Sequence, residues 1–139
     1  MVAIDLGIRR IGVAVSGATD GTALAFPRET IVRSGDRAAD HRAVAAVAEE
    51  VGAEVVVVGL PLSLDGRRGP AALQVAGEVD ELARSLGHLG IRVETYDERF
   101  TTVTANAALA TAGKGSRERR RSVDSAAAAV LLGSWLASR

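Results

Sequence analysis

The stretch Val2-Ala3-Ile4-Asp5-Leu6-Gly7-Ile8-Arg9-Arg10-Ile11-Gly12-Val13-Ala14-Val15-Ser16 decides how this chain is read. Two apolar runs, Val2–Leu6 and Gly12–Ser16, are joined through Gly7 and the pair Arg9-Arg10, the pattern of two short strands and a turn. Asp5 interrupts the first run. A carboxylate inside a sheet is costly unless it is paired or bound to a metal. Either Asp5 serves such a purpose, or the strand ends at Ile4 and Asp5 opens the turn toward Gly7.

Working outward, a third strand is expected over Glu29–Arg33, after Pro27. The period then changes: Val44, Val47, Ala48 and Val51 follow helical spacing, and Gly52 terminates that segment. Glu54–Gly59 holds four consecutive valines, the composition of a central strand covered on both faces. A polar loop, Pro61–Gly69, follows. Ala72, Val75, Ala76, Val79, Leu82, Ala83 and Leu86 then mark a long amphipathic helix ending near Gly87. Ile91–Tyr96 reads as a fifth strand. Thr101 or Thr102 caps a helix reaching Thr111, Lys114–Arg121 reads as a basic loop, and a last helix covers Val123–Ala137. The order β-β-β-α-β-α-β-α-α predicts an α/β fold: a five-stranded mixed sheet with helices on both faces.

With 139 residues and no internal linker or repeat, the chain is expected to form one domain, 1–139. The absence of cysteine excludes a disulfide scaffold and a thiolate nucleophile. Seventeen basic and seventeen acidic side chains cancel, so any polyanion must be met by a local patch. No apolar run approaches the roughly 20 residues of a membrane span, and nothing resembles a secretory leader, so a cytoplasmic location is expected.

Three acids stand where they could meet. Asp5 lies in the first strand; Glu98, beside Asp97, ends the fifth; Asp124 opens the last helix, where the helix dipole alone would favour it. Alternation sends Asp97 and Glu98 to opposite faces, so one of the two can share a site with Asp5. Ligand sites in α/β folds lie at the carboxyl ends of strands. Clustered carboxylates repel one another, and Mg2+ or Mn2+ relieves that repulsion with hard oxygen ligands. A pair of such ions suits phosphodiester hydrolysis. His41 and His88 read as surface residues, and no histidine pair has zinc spacing.

Candidate phosphate contacts come from three places. Lys114, Arg117, Arg119, Arg120 and Arg121, opposed only by Glu118, give a local charge of about +4. Arg9 and Arg10 lie near Asp5. Arg67 and Arg68 sit in the loop that leaves the valine strand. Aromatic residues make up only 3% of the chain, so backbone contact rather than base stacking is expected to dominate.

At these motifs the sequence resembles the YqgF (RuvX) family of ribonuclease H-like nucleases. The resemblance covers nearly the whole chain: Asp5–Ala14, then Val58–Leu62 with Asp65-Gly66, then Asp97–Thr102, then Val123–Ala127. It implies a ribonuclease H-like fold and a nuclease that matures the 5′ end of precursor 16S rRNA. It also implies catalytic and metal-binding roles for Asp5, Glu98 and Asp124, with structured RNA as partner and a monomer or weak homodimer as the assembly. Two alternatives stay open: a Holliday-junction-type resolvase acting on branched DNA through the same site, and a non-catalytic RNA-binding module of the same fold.

Overall fold

In the computed structural model of the chain, residues 1–19, 22–60, 69–97 and 116–138 are described. They form β1 (Val2–Leu6), β2 (Arg10–Thr19), β3 (Thr22–Val32), α1 (Arg37–Glu50), β4 (Val55–Leu60), α2 (Pro70–Gly87), β5 (Arg92–Asp97) and α3 (Ser116–Ala137). The five strands make one sheet in the order β3-β2-β1-β4-β5. β1 runs antiparallel to β2, which runs antiparallel to β3, while β1–β4 and β4–β5 are parallel. The expected mixed sheet with helices on both faces is what forms.

Side-chain alternation divides the core in two. Val2 and Ile4 of β1 join Val13, Val56 and Val58 under α1 and α2, where Val44, Leu82 and Leu86 close the layer. Ala3, Ala14, Val55 and Val57 face the other way and meet Ala128, Ala129, Leu132 and Trp135 of α3. All four valines of β4 are buried, two on each side, as the uninterrupted run requires. α1 starts at Asp36, whose carboxylate accepts from the Ala38 amide at 3.0 Å, and ends before Gly52 at φ +66°, a conformation glycine adopts without strain.

Several boundaries differ from the sequence expectation. β3 begins at Thr22 rather than Glu29, because cross-strand pairing from Thr19↔Thr22 to Arg10↔Val32 extends a long hairpin. Pro27 lies within that strand, and β3 is a sheet edge, where a missing N–H is tolerated. The basic segment from Ser116 to Arg121 is helical and not a loop; Arg and Glu are good helix formers, and α3 simply starts earlier. The expected helix from Thr101 or Thr102 to Thr111, the loop Pro61–Arg68 and Lys114 lie outside the described residues.

His41 is not a surface residue: it is 3% exposed. The reason is Glu78 of α2. Arg33 donates to both oxygens of Glu78, through Nη1 to Oε2 at 2.6 Å and Nη2 to Oε1 at 2.9 Å, and His41 Nε2 donates to Oε2 at 2.8 Å. A carboxylate only accepts, so the contact requires the imidazole proton on Nε2. Burial works to raise the Glu78 pKa, but the hydrogen bonds from Arg33 and His41 outweigh it and hold the carboxyl below its ordinary value of 4.5. The same pairing raises the Arg33 pKa against the opposing effect of burial. Asp40, also buried, accepts from the Ser34 amide at 3.0 Å and the Ser34 hydroxyl at 2.8 Å.

A second buried polar contact fixes α3. The β2–β3 register breaks between Ile11 and Val13, and the Val13 amide donates to Ser125 Oγ at 3.3 Å. Ser125→Ala strands that buried N–H and should cost about 1–3 kcal/mol, read as a lower urea midpoint at unchanged slope. Glu78→Gln leaves the Arg33 charge buried without its counter-ion and should cost about 3 kcal/mol at pH 7, the low end for a broken buried pair, since glutamine still accepts. A depressed carboxyl pKa stabilises the fold fully above its unfolded value and loses that contribution as pH falls through the folded one. The gap between parent and Glu78→Gln should therefore narrow below about pH 4.5 in pH-dependent denaturation.

Candidate active site

β1, β4 and β5 are parallel, so Leu6, Leu60 and Asp97 end at one edge of the sheet. The β1–β2 turn, the segment after β4 and the segment after β5 all leave the chain there. Brought together at this edge are Asp5, the exposed Arg9 and Arg10, and the starting points of the segments that carry Arg67, Arg68 and Glu98. Arg67, Arg68 and Glu98 themselves lie outside the described residues.

Asp5 is inside β1, paired with Gly12 of β2, so the strand does not end at Ile4. Its side chain is half-buried and shares the face of Ala3, the face covered by α3. The pairing Ile4↔Val58, taken one step further, sets Asp5 level with Gly59, and Gly59 pairs with Tyr96. Tyr96 packs against the α3 cluster, and Asp97 consequently belongs to the opposite face. Asp5 and Tyr96 stand two strand spacings apart, about 10 Å. The residue between them on that face is Gly59, which has no side chain. On that face no β4 side chain occupies the space between Asp5 and Tyr96.

α3 reaches this space through Ser125. Its hydroxyl lies on Val13, the partner of Ile4, one pair away from Asp5↔Gly12. Asp124 is the preceding residue, in the same helical row as Ala128, which is fully buried against the sheet. Asp124 is the ninth residue of α3 and not in its first turn, as the sequence had suggested. The helix dipole acts only over the terminal turn, so it supplies no reason for an acid here. Arg117, Arg120, Arg121 and Asp124 are spaced three and four apart along the helix backbone and so follow one row; Arg119 is set off from it. For 116–124 only the backbone is described. Among the described residues no three His, Cys, Asp or Glu side chains form a group able to hold a metal; Asp5 is the only acid of the trio whose side chain is described.

The turn next to Asp5 is held tightly. The Gly7 amide donates to Arg10 O at 3.0 Å, and a Cβ on Gly7 would come within 2.6 Å of that same oxygen. Glycine is required here by close approach rather than by a left-handed backbone. Just past the end of β3, the Arg33 amide donates to Arg9 O at 2.9 Å and Arg33 Nε donates to Gly7 O at 3.0 Å. On the α1/α2 face a cleft of about 350 Å³ opens between this turn and α2, lined by Gly7, Ile8, Arg33, Gln74 and Glu78. Sequence reasoning named neither Arg33, Glu78 nor Ser125. The available signal was Glu78 itself, an acid inside the apolar stripe Val75, Val79, Leu82.

Known proteins share this architecture. A relative from Mycolicibacterium paratuberculosis bearing the name of a pre-16S rRNA nuclease is 44% identical over 137 residues, 98% of this chain and 78% of its own length. Its namesake in Anaeromyxobacter dehalogenans is 41% identical over 136 residues, 98% of this chain and 95% of its own. Among solved structures, Thermus thermophilus RuvC in complex with a Holliday junction substrate aligns with a TM-score of 0.63 at 19% identity, covering 99% of this chain and 96% of that one. Fowlpox virus resolvase with Holliday junction DNA aligns at 0.61 and 13% identity, covering 99% and 98%. RuvC has a ribonuclease H-like fold, and this chain shares it. The family model described as "RuvX: Holliday junction resolvase" matches residues 1–138, and the chain belongs to that family.

Proposed function

We propose that this chain is a metal-dependent nuclease that hydrolyses phosphodiester bonds in structured RNA, with the 5′ end of precursor 16S rRNA as its substrate. The observation that carries the reading is Asp5: a carboxylate inside a central strand, on the α3 face, with the side-chain-free Gly59 between it and Tyr96 of β5. The relatives' names supply the substrate class. In this reading Glu98, two residues beyond Tyr96, and Asp124, adjacent to the anchored Ser125, complete the acid set. The donors are all carboxylate oxygens, which fit Mg2+ or Mn2+ and not a soft metal. Bound there, a pair of such ions would offset the carboxylates' mutual repulsion and supply Lewis acidity toward phosphate oxygens.

The protein's own contribution is positional. Asp5 is paired with Gly12 of β2 and follows Ile4, which pairs with Val58 of β4, so its backbone is fixed before substrate arrives. Arg9 and Arg10, exposed on the adjoining turn, are set to meet backbone phosphates; Arg117, Arg120 and Arg121, in the backbone row of Asp124, and Arg119, off that row, are assigned the same role from sequence. So are Arg67, Arg68 and Lys114. A second reading, cleavage of branched DNA, is favoured by the family description and keeps the same residues.

Asp5→Asn should lower cleavage of a precursor-rRNA fragment by more than about 100-fold, beyond what loss of a metal's outer-shell partner costs, while the thermal midpoint stays level or rises. Parental activity in that variant would remove Asp5 from the site. A matched four-way DNA junction assayed in parallel decides between RNA and branched DNA. Arg119→Ala, Arg120→Ala and Arg121→Ala combined should weaken RNA binding regardless of sequence. Each lost phosphate contact should flatten the salt dependence by roughly 0.7–0.9 log units per log salt, with a smaller effect on the rate at saturating substrate. Unchanged affinity and slope would make that stretch of α3 a solvated surface.

A further inference from the structure

We infer that Arg33, Glu78 and His41 form a positioning device for the active-site turn, acting from the opposite face of the sheet. The inference rests on the nuclease reading for its functional half and on geometry alone for its structural half. Arg33 touches the turn twice, through its amide on Arg9 O and its Nε on Gly7 O. Gly7 lies two residues after Asp5 and one before Ile8-Arg9-Arg10. The carbonyl of Gly7 is therefore the point at which the end of β1 and the arginine-bearing turn are gripped together.

An arginine holds a carbonyl in a fixed direction only when the rest of its fork is fixed. Glu78 supplies that. It engages both Nη atoms of Arg33, which leaves Nε as the donor aimed at Gly7 O. His41 in turn fixes Glu78, donating to the oxygen that also accepts from Nη1. The three side chains come from the residue after β3, from α2 and from α1, and His41 and Glu78 are 3% and 4% exposed. A buried ion pair is a poor source of net stability, since hydrophobic residues of similar volume commonly do as well. A fork whose third donor reaches the turn beside Asp5 has a use that hydrophobic packing could not replace. These residues touch no reacting atom; they act through the backbone of residues 7–10.

The turn's own constraints fit the same role. Gly7 admits no side chain against Arg10 O, so the loop has one close-packed arrangement, and the Arg33 fork selects it from outside. Misplacement of a reacting group by about 1 Å can cost on the order of 100-fold in rate, so a loosened turn should be visible in catalysis.

The experiment uses the full chain with two variants, Glu78→Gln and Arg33→Lys. Lysine keeps the charge beside Glu78 but carries its three donors on one nitrogen and cannot reproduce the planar fork that serves both Glu78 oxygens and Gly7 O, so Arg33→Lys tests the fork even where Glu78→Gln folds poorly. Native-state amide hydrogen exchange should rise by about tenfold or more at Gly7 and at residue 33 in the folded variants, with the β4 amides unchanged. Single-turnover cleavage of a precursor-rRNA fragment at saturating protein with Mg2+, below the unfolding range, should fall by about 10- to 100-fold. Arg28→Ala, which breaks the exposed Arg28–Glu50 pair on the far side of α1, should leave both measurements unchanged. Turn amides that exchange at the parental rate in both variants would overturn the proposal. So would a loosened turn with an undiminished single-turnover rate, since a purely structural network would lower the melting point alone. If the parent protein cleaves neither RNA nor a DNA junction, the nuclease reading fails by itself, and the exchange result still decides whether the network holds the turn.

Discussion

The register of β1 is the constraint on which the rest of the structure depends. This strand is the joint of the sheet, antiparallel to β2 on one side and parallel to β4 on the other. Its alternation sends Val2 and Ile4 into one core and Ala3 and Asp5 toward the other face. A slip of one residue would drive the Asp5 carboxylate among Val44, Leu82 and Leu86 and expel Ile4. Hydrophobic pattern opposes such a slip, and so does the turn that follows. Gly7 closes on Arg10 at a distance that only glycine permits, and Arg33 clamps both ends of that turn. The placement of the acid is thus specified twice, by burial before it and by close-packed backbone after it.

The two faces of the sheet are built from different side chains, and the difference has a consequence for the site. Under α1 and α2 the layer is valine, isoleucine and leucine, which bury the larger apolar surface per residue. Under α3, alanines stand beside Val55, Val57, Leu132 and Trp135: Ala3 and Ala14 on the strands, Ala128 and Ala129 on the helix. Small side chains on both partners let the helix backbone approach the sheet, and the hydrogen bond from Val13 to Ser125 is possible only at such an approach. The bulky face therefore carries most of the hydrophobic stabilisation, while the small face brings the helix position of Asp124 close to the strand position of Asp5.

Much of this was legible in the sequence, and what escaped has identifiable physical causes. The valine strand, the β1–β2 hairpin, the sequence order of the elements and the acid at Asp5 follow from local periodicity, the kind of signal a single sequence carries best. The length of β3 did not, because its first half is held by cross-strand pairing to β2, with Pro27 tolerated at an edge. The start of α3 was misplaced because a run of arginines was read as a solvated loop, although arginine is a good helix former. That error also lent Asp124 a helix-dipole explanation which the structure removes. His41 was assigned to the surface even though it shares a helical row with Val44, Ala45 and Ala48, since its partner Glu78 lies 37 residues away. Alternation marks Asp5 alone as anomalous; Glu98 and Asp124 stood out only by their places at a strand end and beside the arginines, and the family resemblance is what prefers Glu98 to Asp97.

The zero net charge of the chain would count against a polyanion partner if the charges were evenly spread, but the folded sheet sorts them. Arg28 pairs with Glu50, Arg37 with Glu81, Arg92 with Glu94, and Arg33 is consumed by Glu78. The exposed pairs add little stability, yet each cancels a positive charge along the flanks of the sheet. Among the described residues Arg9 and Arg10, like Arg42 and Arg84 elsewhere, have no such ion-pair partner, and they lie on the turn at the carboxyl edge beside Asp5. The turn therefore carries two cations without ion-pair partners next to that acid. Within a Debye length of about 8–10 Å it is this local arrangement, and not the sum over the chain, that an approaching phosphate backbone meets.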